Sequence, residues 1–264
     1  MASRTKQKEE ARARRLAEER ARAERDARMR RLRGIAGIVI GAVVVVVVAI
    51  AVSSGGSSGG TGLQKGSGAN KTVTGVSQLL AGIPQSGNVL GNPNAPVTMT
   101  YYGDLECPIC RDFTLSSFSQ LVANEIRDGK VKVEYRAFQT ATQNPQTFET
   151  QQVAALAAGK QDKFWDYAEL FYHEQGQEAT GYVTDSYLTG LAQQVPGLNV
   201  SEWQSARGDQ SLVSQVQSDV AAGTAANVTG TPTLIFTGPK GTASPPTGVP
   251  SYSQLQQAIK QVSA

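Results

Sequence analysis

Histidine is almost missing from this chain and cysteine nearly so: its 264 residues include one His, two Cys, two Trp and three Met. A structural zinc site takes four ligands, usually Cys and His. Two Cys and a single His173, 63 residues past Cys110, do not make such a set, so no metal is expected. Charge is absent from residues 34–52, GIAGIVIGAVVVVVVAIAV, a run of 19 residues. Regular apolar a and d positions are absent from the stretch before it, which argues against a coiled coil. No internal repeat is visible, so the repeat architectures are not indicated.

The net charge of +3 hides a segregation of sign. Residues 1–33 hold 13 Lys/Arg against 6 Asp/Glu, and the remainder 12 against 16. The basic arm is rich in Ala, Arg and Glu, with opposite charges often three or four apart, and reads as a solvated helix. The apolar run that follows is close to the ~20 residues that cross a bilayer as a helix. All the arm's positive charge precedes it, and no Lys or Arg falls in the next dozen residues. The positive-inside rule then puts the N-terminus in the cytoplasm and the body outside. Ala49-Ile50-Ala51 resembles a signal-peptide cleavage site, but the apolar core exceeds the usual ~7–15 residues of such a peptide. A retained, single-pass anchor is therefore expected, with the basic arm touching anionic lipid headgroups rather than nucleic acid.

Residues 53–74, opening SSGGSSGGTG, read as a flexible Gly/Ser-rich linker. Residues 76–83 suggest a short helix, and GNPNAP a turn. VTMTYY (97–102), VKVEYRAF (131–138) and TLIFTG (233–238) have the β-branching of strands. A helix is expected from Cys107 to Asp128, ending at Gly129. Helical patterns fill about 145–226, and SYSQLQQAIKQV closes the chain as a helix. Strands alternating with helices argue for an α/β domain over residues 75–264. Phe164, Trp165, Tyr167 and Phe171 are expected in its core, and His173 on a helix surface.

Both cysteines lie in YYGDLECPICRDF, residues 101–113. A structural disulfide here would close a four-residue loop and constrain the unfolded chain by only about 2 kcal/mol. A redox pair accounts for the placement as well. Cys107 falls where a strand gives way to a helix, and unpaired amides and the helix dipole there favour a thiolate. Pro108 suits the first helical turn, where a missing N–H costs nothing. Cys110, one turn on, is placed to resolve a mixed disulfide. Asp104 is a candidate proton relay to Cys110, or else a turn residue capping the helix.

Around these residues the chain resembles the DsbA-like thiol–disulfide oxidoreductases of the thioredoxin superfamily, particularly the membrane-anchored bacterial type. The resemblance rests on GIPQSGNVLGNPNAPVTMTYYGDLECPIC (82–110) and on VTGTPTLIF (228–236), similar to that family's cis-proline loop. It implies a thioredoxin fold with a helical insertion, a cis bond between Thr231 and Pro232, and a disulfide-forming activity on exported proteins. Cys107 would attack and Cys110 resolve, with Pro108, Ile109, Thr231 and Pro232 at the substrate. It also implies no organic cofactor, and a re-oxidising membrane partner whose identity the sequence does not give. The chain departs from the family's best-known member at Ile109, which stands where that enzyme has His. Ile109 offers the thiolate neither a hydrogen bond nor a charge, and Glu106 next to Cys107 disfavours it. The expected Cys107 pKa is therefore nearer ~7 than ~3.5, and isomerase or reductase activity stays open beside oxidase. A rival reading is a membrane-tethered peptide-binding module with a structural disulfide.

Overall fold

The structure, a computed structural model, describes residue 63 and residues 66–264. The expected basic arm (1–33), apolar anchor (34–52) and most of the Gly/Ser segment lie outside the described residues. Among the described residues no helix is long and apolar enough to cross a membrane.

A strand lined by Val, Thr, Met and Tyr side chains needs apolar cover on both faces, and β3 (Val97–Gly103) has it at the centre of a six-stranded sheet. The sheet also contains β1 (Gln85–Ser86), β2 (Val89–Leu90), β4 (Val131–Ala137), β5 (Thr233–Gly238) and β6 (Gly241–Ala243), in the order β1-β2-β4-β3-β5-β6. β3 runs parallel to β4, with Tyr101 opposite Tyr135, and antiparallel to β5, with Tyr102 opposite Thr233. Parallel neighbours require a crossover. It is made by helix α2, which starts at Pro108–Phe113 and continues through two π-helical stretches, Thr114–Phe118 and Val122–Ile126, on either side of Ser119–Leu121. Gly129, at φ 71°, turns the chain from this helix into β4, a backbone conformation that glycine adopts without cost.

Helix α1 (Ser67–Leu80) corrects the sequence reading, because it begins inside the segment taken as linker and ends before residue 83. Gly, Ser, Asn and Thr give it poor intrinsic helicity. Burial of Ala69, Val76 and Leu80, with α1 packed against the aromatic helix Phe164–His173, supplies what propensity does not.

Between β4 and β5 lies the helical insertion: α3 (Pro145–Gly159), α4 (Phe164–His173), α5 (Asp185–Gln194), α6 (Val200–Ala206) and α7 (Gln210–Ala225). Pro145 opens α3, and Asn144 caps it by accepting from the Gln146 and Thr147 amides at 2.8 and 3.1 Å. The small residues of AALAAG let α3 bury nearly all of its second half. Phe164, Trp165, Tyr167 and Phe171 of α4 are all fully buried, as expected, and His173 is exposed. Phe118 stacks on Trp165 at 5.2 Å, while Tyr135 meets Phe164 at 5.1 Å, so one aromatic cluster joins α2, the sheet and the insertion. Such pairs contribute about 0.5–1.5 kcal/mol beyond area burial. The Trp165 indole N–H donates to the Asn88 carbonyl at 3.1 Å, which ties the insertion to the β1–β2 hairpin. Helix α8 (Tyr252–Val262) closes the chain behind a Ser251/Gln254 capping box and packs on β5 and β6.

Candidate active site

The end of β3 leads through Asp104, Leu105 and Glu106 to Cys107, which is the N-cap residue of α2. Its sulfur accepts from the Cys110 amide at 3.4 Å, as an N-cap side chain does. Pro108 occupies the first helical turn, and Ile109 beside it is 43% exposed, one of two large apolar side chains so exposed among the described residues. Both thiols are free.

Across from the sulfur lies the turn before β5. The Thr231–Pro232 peptide bond is cis, in agreement with the implied cis-proline loop. The Cys107 thiol donates to the Thr231 carbonyl at 3.4 Å, and the Thr231 side chain favours the Cys107 thiolate. The sequence thus separates these residues by 124 positions and the fold brings them into contact.

The two cysteines differ little in exposure, 4% for Cys107 and 0% for Cys110. They differ in ionisation. A hydrogen bond from the Cys110 thiol, followed by the Thr231 hydroxyl and the amides of Cys110 and Ile109, draws the Cys107 pKa down to about 6 against the opposing effect of burial. Burial, together with the bond it gives to Cys107, pushes Cys110 far up. One thiolate and one retained proton is the division of labour thiol–disulfide exchange requires. Glu106, next to Cys107, is itself buried, and that burial raises its pKa.

Asp104 caps no helix, since Cys107 fills the N-cap position. Its carboxylate faces the loop after β4. One oxygen accepts from the amides of Thr140, Ala141 and Thr142, each at 2.9 Å, and the other from the Thr142 hydroxyl at 2.6 Å and the Glu106 amide at 3.1 Å. Its backbone carbonyl, rather than its carboxylate, accepts from the Cys107 amide, at 3.0 Å.

Two contributors escaped the sequence reading. Gln175, just beyond α4, donates to the carbonyls of Leu105 and Cys107 at 2.7 and 3.2 Å. The Thr140 hydroxyl hydrogen-bonds to the Thr231 hydroxyl. Neither residue sits in a motif, and only the folded chain reveals such pairings. Among the described residues, no group of His, Cys, Asp and Glu is arranged to hold a metal ion.

Fold and site together define a class: thioredoxin-fold thiol–disulfide oxidoreductases with a helical insertion. A family model described as Thioredoxin matches residues 85–261, and the chain belongs to that family. It is similar to disulfide bond formation protein D of Bacillus subtilis, 27% identical over 151 residues, covering 55% of this chain and 65% of that protein. The match therefore spans just under two thirds of that relative. Oxidised BdbD from Bacillus subtilis superposes with a TM-score of 0.58 at 23% identity, over 67% of this chain and 95% of that one. Wolbachia pipientis alpha-DsbA1 does so with 0.55 at 16% identity, over 69% and 92%.

Proposed function

We propose that this protein is an extracytoplasmic, membrane-anchored oxidase that introduces disulfides into exported proteins through Cys107 and Cys110. The observation that carries this reading is the pairing of a stabilised Cys107 sulfur with the cis Thr231–Pro232 turn 3.4 Å away. A disulfide oxidises others when its reduced form is stabilised, and a Cys107 thiolate with a pKa of about 6 provides that stabilisation.

In the forward direction a substrate thiolate attacks the Cys107 sulfur of the Cys107–Cys110 disulfide. The S–S bond breaks and its electron pair leaves on Cys110, which takes up a proton, as its raised pKa favours. A second substrate thiolate then attacks the substrate sulfur bonded to Cys107, forming the substrate disulfide, and Cys107 departs as thiolate. The substrate has lost two electrons and the dithiol has gained them. A membrane partner bearing its own oxidant must then take them up. Exposed Ile109 and half-buried Thr231, in the Thr231–Pro232 turn beside Cys107, suit an extended, partly apolar substrate segment. The rule of flanking charge at residues 34–52 supports placing the body outside the cytoplasm.

The test is trapping. Cys110→Ser should accumulate mixed disulfides with substrate through Cys107, and Cys107→Ser few. Mass spectrometry that finds the adducts mainly on Cys110 would overturn the assignment of nucleophile. A reporter fused after Ala264 should be active only outside the cytoplasm, and strong cytoplasmic activity would remove the oxidase role.

A further inference from the structure

The Asp104 carboxylate and the Thr231 hydroxyl are linked through a segment that belongs to neither cysteine motif. Three consecutive amides, of Thr140, Ala141 and Thr142, converge on one Asp104 oxygen at 2.9 Å each. Successive N–H groups facing one anion make a nest that fixes the backbone presenting them. That backbone carries the Thr140 side chain to the Thr231 hydroxyl. Thr231 in turn meets the Cys107 sulfur through its carbonyl at 3.4 Å, and its side chain favours ionisation of Cys107 as of Cys110.

We propose that Thr140, held in place by Asp104, is a positioning residue that aims the Thr231 hydroxyl at the Cys107 sulfur. This rests on the dithiol reading of the site. A hydroxyl has one proton to give. With an anionic sulfur on one side, Thr231 gives that proton to Cys107 and accepts the proton of Thr140. Without Thr140, the exposed face of Thr231 is left to water, and its proton is shared between solvent and sulfur. The thiolate loses part of its support while the nest, which uses only backbone amides and Thr142, remains intact. Asp104 then serves by holding the loop, with its carboxylate committed to donors other than a cysteine.

The test compares full-length wild type with Thr140→Val and Thr140→Ser. Position 140 is exposed, and Val preserves the shape and the amide while removing the hydroxyl. In Thr140→Val the Cys107 pKa, read from thiolate absorbance and from alkylation rate against pH, should rise by about half a unit, a roughly threefold slower alkylation below the midpoint. Thr140→Ser should restore the wild-type profile, and the unfolding temperature should be the same in all three. A Val profile identical to wild type, or Ser behaving as Val does, would overturn the proposal. Glutathione equilibration of the wild type alone tests the dithiol reading. A wild-type pair that does not cycle sinks that reading, while the comparison of pKa values still decides the role of Thr140.

Discussion

The side-chain N–H of Gln175 donates to the carbonyl of Cys107, the proposed nucleophile, at 3.2 Å, and to that of Leu105 at 2.7 Å. The helical insertion therefore does more than cover the sheet, because its α4–α5 connection grips the turn that carries Cys107. Gln175→Leu would remove both donors and leave a buried carbonyl unpaired. The expected loss is about 2 kcal/mol, which for a domain of this size lowers the unfolding temperature by about 4–8 °C. Circular dichroism melts of the reduced protein would measure it. An unchanged midpoint would show that the insertion does not hold the turn.

A second prediction follows from the depressed Cys107 pKa. Its folded value of about 6 lies below the ordinary thiol value near 9. An acidic group depressed on folding adds stability above its unfolded pKa and loses it as pH falls through the folded one. The reduced form should therefore gain stability relative to the disulfide form as pH rises from about 6 to 9. At pH 7 only the first unit of this has developed, about 1.4 kcal/mol, equivalent to about 30 mV toward the oxidising side. Denaturant unfolding of the reduced and oxidised proteins between pH 5 and pH 9 would check this. A difference between them that does not change with pH would contradict the thiolate assignment.

Glu169 provides a third test, away from the sulfurs. It is 1% exposed in α4, neither carboxyl oxygen has a hydrogen-bond partner, and burial followed by repulsion from Asp166 raises its pKa to about 8. A raised acid keeps in the folded state a proton that the unfolded chain releases, so its contribution turns unfavourable as pH climbs from about 4 toward 8. Glu169→Gln removes that penalty with little change of volume. The variant should melt above wild type at pH 7.5, and the gap should close toward pH 4. A variant less stable than wild type at pH 7.5 would mean that the ionised carboxylate is satisfied in the folded protein.

The parts of this fold that the sequence announces are those where local chemistry and final structure agree. Val97–Gly103, Val131–Ala137 and Thr233–Gly238 are strands in their own β-branched residues, and Cys107-Pro108 marks a helix start by itself. The β1–β2 hairpin and β6 went unread because two or three residues carry no periodicity. Helix α1 was hidden by its Gly, Ser and Thr content, and only its packing makes it helical. At the site, the cysteines are legible from their spacing and placement, whereas the cis bond before Pro232 is implied only by the family resemblance of VTGTPTLIF. Asp104 was singled out, yet its partners at 140–142 lie 36 to 38 residues away and depend on how β3 and β4 align. Gln175 and Thr140 are ordinary polar residues until the chain folds.

The central claim, that Cys107 and Cys110 form a cycling oxidant, is tested most directly by the reduction potential of the full-length protein. Equilibration in graded glutathione buffers at pH 7, followed by alkylation and mass counting of free thiols, yields it. The account predicts a reversible two-electron transition at a potential less negative than about −200 mV, on the oxidising side of the thiol–disulfide range. A pair that stays oxidised until below about −300 mV, where structural disulfides lie, would contradict it.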